Sequence, residues 1–293
     1  MKVIVLYGST PSRNSIELAE EALNKGHTVL QGTLADVSSQ VSKKGSLFWL
    51  NEDDISDAKL CFLRSFGPGS TEQVTRRISL VEHLEMTGIK VVNPTYAFRR
   101  ARDKYSTQVF LKAANLPVAN TYTTENMNRA YYWSQYHEKV VYKPILSSMG
   151  KGMMLFDDAD LAFNAYKMLN RIYQPYILQE YISNPGRDIR VFVIGGSVIG
   201  AAYKYRAEGS WKTNVAQGGK MTVEEVPKEV LELAIKANTV MGLHYSGVDI
   251  IESSDGPIIL EVNGAPGWQA LKEVTEKNIA KEIMNYAEFL VNE

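Results

Sequence analysis

The chain has 293 residues, 45% of them apolar, with 32 basic and 33 acidic side chains and a formal net charge of -1. That composition suits two or three lobes of about 100–150 residues each and excludes a disordered chain. The near-neutral balance excludes a general nucleic-acid coat, and no stretch approaches the ~20 apolar residues that cross a bilayer.

Cys61 is the single cysteine, so no intrachain disulfide forms, and its apolar neighbours make it core packing rather than a nucleophile. Met1–Tyr7 lacks a signal-peptide layout. The expected setting is cytoplasmic, with no membrane or nucleic-acid partner.

Residues 2–7 read as a buried strand. Ser15 is the expected cap of a helix through Lys25, ended by Gly26. Residues 59–64 form a short apolar strand, and Gly67-Pro68-Gly69-Ser70 is a turn. Ser70 or Thr71 then caps a helix to about Met86, stopped by Gly88. Lys90–Val92 is a third strand, broken at Asn93-Pro94. This alternation predicts an open α/β domain over residues 1–95. Residues 96–182 read as an α+β lobe, with helices at 104–114, 125–136 and 160–169 and strands at 120–123, 140–143 and 153–156. From Tyr176 the chain is strand-rich, at 176–182, 188–194, 197–205, 246–251 and 257–262. A helix at 228–241 keeps Val230, Leu233, Ala234, Ala237, Val240 and Met241 to one face. A last helix at 278–291 closes a lobe spanning 183–293.

Two late strands carry groups that core strands avoid. One is Gly247-Val248-Asp249-Ile250, the other Leu260-Glu261-Val262-Asn263. Glu261 and Asn263 share a face at strand spacing. Asp249 sits in an apolar run, where an unpaired carboxylate is costly. Two readings stand: oxygen ligands for a hard cation, or structural ion pairs with Lys or Arg. The loop Ser147-Ser148-Met149-Gly150-Lys151-Gly152 joins two strands and is small and polar. It is either a plain hairpin turn or a set of backbone amides for phosphate. It lacks the Ser/Thr and helix of a P-loop.

Lys143 ends a strand, either snorkelling to water or facing a phosphate. Lys104 closes the run Arg100-Ala101-Arg102-Asp103-Lys104, either a solvated helix with Asp103 as cap or a local anion site. Gln179 and Glu180 interrupt an apolar strand. Asp188 and Arg190 share a face at spacing two, as an ion pair or as orienters of a phosphate site. Arg206 and Lys212-Thr213-Asn214 lie in glycine-rich loops. The four histidines lack metal-ligand spacing.

The order of these segments resembles the ATP-grasp superfamily, specifically the RimK-like carboxylate–amine ligases. Arg100–Lys104, Gln179-Glu180-Tyr181-Ile182, Asp188-Ile189-Arg190, Gly218-Gly219, Gly247–Ile250 and Glu261-Val262-Asn263 with Pro266-Gly267 carry the resemblance over roughly residues 60–290. It implies an ATP-grasp fold, mixed α/β and α+β, behind an N-terminal open α/β (pre-ATP-grasp) domain. It implies that Lys104 and Lys143 contact ATP phosphates. Gln179, Glu180, Tyr181 and Ile182 would hold adenine, with Glu180 on the ribose, while Asp188, Lys212, Thr213 and Asn214 complete the nucleotide site. Ser147, Ser148, Gly150, Lys151 and Gly152 would form the lid. Asp249, Glu261 and Asn263 would ligate two Mg²⁺ (or Mn²⁺) ions. Arg190 and Arg206 would face the reacting phosphate and acyl group, and Arg64 the substrate.

Within that family, the tail Asn263–Leu271 is similar to that of the glutamate ligases of methanogens, which act on tetrahydromethanopterin or on a deazaflavin coenzyme. The implied reaction is ATP-driven amide formation through an acyl phosphate, with L-glutamate as amine and the pterin as expected acceptor. Alternatives are the deazaflavin coenzyme, a protein C-terminus, or a non-catalytic nucleotide-binding scaffold. A dinucleotide-dependent oxidoreductase is disfavoured, because no Gly-x-Gly-x-x-Gly follows the first strand. Apolar helix faces leave room for a homo-oligomer.

Overall fold

The computed structural model describes residues 1–147, 150–213 and 218–293. The chain opens with β1 (Lys2–Tyr7), α1 (Arg13–Asn24) and β2 (Thr28–Thr33). An antiparallel meander follows, made of β3 (Val37–Ser42), β4 (Gly45–Leu50) and β5 (Asp53–Asp54). Then come β6 (Leu60–Leu63), α2 (Thr71–Met86) and β7 (Lys90–Val92). The parallel sheet runs β2-β1-β6-β7. Its central strands are apolar throughout because both faces are covered. Val3, Val5, Leu60 and Phe62 pack toward α1, while Ile4, Leu6, Cys61 and Leu63 pack toward α2 and the meander.

Ser12, not Ser15, caps α1, accepting from the Ser15 backbone N–H at 3.2 Å. Ser15 lies fully buried in the first turn. Ser70 caps α2 in a reciprocal capping box with Gln73. Sequence pattern did not announce β2 or the meander, whose strands mix Ser, Thr and Gln with a few apolar residues and stay half exposed.

The next section holds α3 (Thr95–Arg102), α4 (Lys104–Ala113), β8 (Thr121–Thr124), α5 (Met127–Gln135), β9 (Val140–Tyr142), β10 (Met154–Phe156), α6 (Ala159–Arg171) and β11 (Tyr176–Glu180). Asp103 separates α3 from α4 and caps the latter, accepting from Tyr105 N and Ser106 N at 2.9 and 3.0 Å. That cap fixes Lys104 at the first helical position. The antiparallel sheet β10-β9-β11-β8 buries Val140, Tyr142, Tyr176 and Leu178 with residues of α5 and α6. Strand alternation turns Val141 and Gln179 to the opposite face.

The remainder is β12 (Arg187–Ile194), β13 (Ser197–Tyr205), β14 (Lys220–Thr222), α7 (Lys228–Met241), β15 (Tyr245–Ser253), β16 (Gly256–Asn263), α8 (Gln269–Thr275) and α9 (Ile279–Asn292). The sheet order is β14-β13-β12-β15-β16, all antiparallel. The apolar stripe of α7 covers one face as expected. Helix α9 shares a core with α1, the first strands and the other side of this sheet, through Phe192, Ile194 and Ala202.

Asn93, fully buried at the end of β7, ties the two sheets together. Its Nδ2 donates to Tyr245 O (2.8 Å) and Gly264 O (2.6 Å), and its Oδ1 accepts from His244 N (2.7 Å) and Tyr245 N (3.0 Å). Among the described residues no helix is long and apolar enough to cross a membrane.

Candidate active site

The face of the C-terminal sheet opposite α7 carries a ladder of charges set by strand register. Asp188 pairs with Lys204 across β12 and β13, Arg190 with Asp249 across β12 and β15, and Asp249 with Glu261 across β15 and β16. Cross-strand partners on one face are within side-chain reach. Arg190 grips Asp249 with two bonds, Nε to Oδ1 at 2.9 Å and Nη2 to Oδ2 at 2.8 Å. Lys204 Nζ lies 2.7 Å from Oδ1 of both Asp188 and Asp249. The Thr213 hydroxyl donates to Asp188, and Asn263 Nδ2 donates to Asp249 at 3.4 Å.

Asp188 and Arg190, which spacing placed on one face, thus pair with other strands rather than with each other. Asp188, Lys204 and Asp249 are at most 7% exposed. Two anions and two cations make this buried tetrad neutral, which is what lets it persist away from water.

The environment moves each proton equilibrium. Burial pushes the Asp249 carboxyl up, but Arg190 and Lys204 outweigh it and hold the group below the usual carboxylate range. At Asp188 burial wins over Lys204, and the carboxyl lies above its ordinary value. Burial pulls the Lys143 ammonium down to about 8, against the pull of Glu261. Lys104 is lowered by burial as well.

Two backbone features shape the ladder. Register shifts between Asp249 and Ile250, so Leu260 is the extra residue opposite them, a bulge that re-aims the neighbouring side chains. Gly247 clears a path for Arg190, since a Cβ there would lie 2.5 Å from Arg190 Nη1 and 2.8 Å from Pro266 Cβ.

Two cavities open on this ladder. The first lies between the β10-β9-β11-β8 sheet and the C-terminal sheet. Lys104, Lys143, Gln179, Glu180, Tyr181, Ile182, Asp188, Lys212 and Thr213 line it, as does Gly150 of the glycine loop. Nine expected nucleotide-site residues and one residue of the expected lid therefore converge there. Lys104 Nζ donates to Ser147 O at 2.6 Å, and Lys212 Nζ to Gly150 O at 2.9 Å. Gln179 is buried, with Nε2 donating to Thr121 Oγ1 at 3.0 Å, while Glu180 is exposed at the rim. Lys151 and Gly152 are exposed and outside the lining. Ser148 and Asn214 lie outside the described residues.

The second cavity, of about 620 Å³, lies between the C-terminal edge of the parallel sheet and the Asn263–Leu271 tail. Its size falls within the range of small-molecule sites. Arg64, Arg190 and Asn263 line it together with Ser12, Asn14, Ser15 and Gln269. Arg64 turns its terminal donors to the wall, with Nη1 to Tyr245 OH at 2.7 Å and Nη2 to Pro266 O at 2.9 Å, while its Nε is buried without a partner among the described residues. Lys204, Asp249 and Glu261 line both cavities.

Arg206 is exposed and lines neither cavity, so the expected substrate arginine is displaced. The physical reason is the end of the strand: Lys204, inside β13, turns into the ladder, whereas Arg206 has the same parity but lies past Tyr205, the last residue of β13, and packs over Gly186. Lys204 was the missed residue, a lone cation between Tyr203 and Tyr205 in a strand.

Among the described residues no group of three or more His, Cys, Asp or Glu side chains is arranged to hold a metal ion. The donor set still suits a hard cation. Among the described residues Glu261, one-third exposed, meets only Lys104, at 3.9 Å. Asn263, with its amide nitrogen on Asp249, lines the second cavity beside it. Oxygen donors of this kind match Mg²⁺ better than any soft metal.

Comparison with known proteins agrees with this geometry. The model of the RimK-like ATP-grasp domain matches residues 101–287. A tetrahydromethanopterin:alpha-L-glutamate ligase of Methanocaldococcus jannaschii is 37% identical over 236 residues, covering 78% of this chain and 79% of that protein. The enzyme of the same name from Methanococcus maripaludis is 32% identical over 252 residues, covering 82% and 84%. The solved structure of the ATP-grasp ligase PsnB, complexed with minimal precursor, Mg and ADP, superposes with a TM-score of 0.73 at 20% identity, covering 100% of this chain and 98% of that one. It shares the fold. The match runs from the end of α3 through both acid-bearing strands into α9, and the chain belongs to the RimK-like ATP-grasp family of ATP-dependent carboxylate–amine ligases.

Proposed function

We propose that this enzyme joins the amine of L-glutamate to a carboxylate of tetrahydromethanopterin by way of an acyl phosphate. One observation carries the mechanism: the nucleotide cleft and the second cavity meet at Lys204, Asp249 and Glu261. The names of the relatives favour the two substrates.

ATP would lie in the first cleft, with Lys104, Lys143 and Lys212 toward its phosphates and Gln179–Ile182 toward adenine. The acyl substrate would occupy the second cavity. Its carboxylate oxygen attacks the γ-phosphorus, the bond to the β-bridging oxygen breaks, and ADP leaves. The glutamate nitrogen then attacks the acyl carbon, phosphate leaves with the bonding pair, and the amine gives up a proton. Both steps bring anions together. Arg190 and Lys204 supply fixed positive charge where the cavities meet, and such preorganised charge acts most strongly on the developing transition state.

Glu261 and Asn263, with Asp249, would hold Mg²⁺, which neutralises phosphate charge when bound. The glycine loop would exclude water from the labile intermediate. Purified protein given ATP, Mg²⁺, glutamate and tetrahydromethanopterin is expected to release ADP and yield a glutamylated pterin by mass spectrometry. ADP release with a different carboxylate, and none with the pterin, would overturn the substrate assignment.

A further inference from the structure

Behind the second cavity lies a polar cluster that joins α1 to the start of α8. Glu17, only 7% exposed, accepts from Trp268 Nε1 at 2.8 Å, Gln269 Nε2 at 3.0 Å and Lys272 Nζ at 2.8 Å. Asn14 Oδ1 accepts from Gln269 Nε2 at 2.9 Å. Three donors hold this carboxylate ionised: burial pushes its pKa up, and the bonds from Lys272, Trp268 and Gln269 bring it below the ordinary value.

The consequence falls on Gln269. Its amide nitrogen has two hydrogens, and both are taken, one by Glu17 and one by Asn14. The amide is therefore fixed in one orientation. Among the described residues its carbonyl oxygen meets no donor, and Gln269 lines the cavity that also holds Arg190 and Glu261. A buried core would not leave such an oxygen over without cost. At a cavity wall it is a preset acceptor.

We propose that Gln269 is a specificity-determining residue for the non-nucleotide substrates, accepting a hydrogen bond from an N–H or O–H of one of them, and that Glu17 is its positioning residue. This rests on the second cavity being the substrate cavity. The neutral carbonyl orients a donor without stabilising an ammonium as a carboxylate would, so it does not oppose the loss of the proton that amide formation requires. Donor-reading sites discriminate strongly against analogues that lack the donor.

The test uses the intact enzyme and whichever carboxylate–amine pair supports ADP release. Gln269→Met keeps length and removes the acceptor. Glu17→Gln keeps shape and loosens the anchor. For Gln269→Met, a rise of about tenfold or more in KM for one non-nucleotide substrate is expected, with KM for ATP within about twofold and an unchanged melting temperature. Glu17→Gln should shift the same KM in the same direction by a smaller factor.

A substrate KM that stays within twofold in Gln269→Met would overturn the proposal. So would KM for ATP rising in parallel, the mark of a merely structural role. Failure of wild-type enzyme with glutamate and tetrahydromethanopterin, but turnover with another pair, would instead count against the function proposed above and leave that other pair to decide the role of Gln269.

Discussion

The cleft proposed for the nucleotide and the cavity proposed for the acyl substrate share three side chains but are built in opposite ways. The cleft is walled by two antiparallel sheets, and its polar groups project from strands, as Gln179 does from β11, Asp188 from β12 and Lys204 from β13. The cavity is walled by strand ends, a helix cap and a tail, through Ser12, Asn14, Ser65 and Gln269. A charge in an apolar strand costs free energy unless it is matched, so strand-borne groups stand out. Ser, Asn and Gln in loops and first helical turns cost nothing and stand for nothing until a fold brings them together.

The sharpest way to break this comparison is at the junction. Glu261→Gln keeps the side chain's shape and removes one charge facing both cavities. ADP-forming turnover should fall at least about a thousandfold, with the circular dichroism spectrum unchanged. Near-normal turnover would separate the cavities chemically.

Lys204→Met removes the cation shared by two buried carboxylates. Unfolding free energy by urea titration should drop by about 3–5 kcal/mol, and adding Asp188→Asn should restore part of it. A drop no larger than that of a surface change would show the tetrad to be more hydrated than its burial implies.

Lys143 sharpens the contrast on the nucleotide side. Its ammonium, lowered by burial to about 8, is the form that attracts phosphate. ATP affinity should therefore weaken as pH rises through 8, by about tenfold at pH 9. Lys143→Met should abolish that slope. The effect on folding has the opposite sense. The unfolded lysine holds its proton to roughly 10.4, so between 8 and that value the unfolded state binds more protons and stability rises with pH.

The smallest effect belongs to the exposed pair Arg99–Glu82, at 3.4 Å and about half exposed on both sides. Glu82→Ala should change stability by less than about 0.5 kcal/mol and leave turnover unchanged. A larger change would mean that surface charge reaches the cavities.

What could be read from sequence follows the same division. The strands at 2–7, 197–205 and 257–262 and the helix at 228–241 lie within a residue of their observed bounds, because buried faces impose a period on the residues. Asp249, Glu261, Asn263 and Arg190 were legible as polar groups in apolar runs. The meander at 37–54 escaped because only Val37, Phe48 and Leu50 of its strands reach the core, too few apolar positions to set a period. Lys204 escaped because a single lysine beside tyrosines looks like an edge residue until register pairs it with Asp188. Arg206 was expected in its place, one residue past the strand that does the orienting. Glu17 and Gln269 are 252 residues apart, and no local pattern connects them.

Incorporation of oxygen-18 tests the meeting of the two cavities most directly. With the substrate carboxylate labelled, the proposed route carries one labelled oxygen into the phosphate released for each amide formed. Phosphate free of label, in a reaction that still consumes ATP and makes the amide, would contradict attack by that carboxylate across the Lys204–Asp249–Glu261 junction.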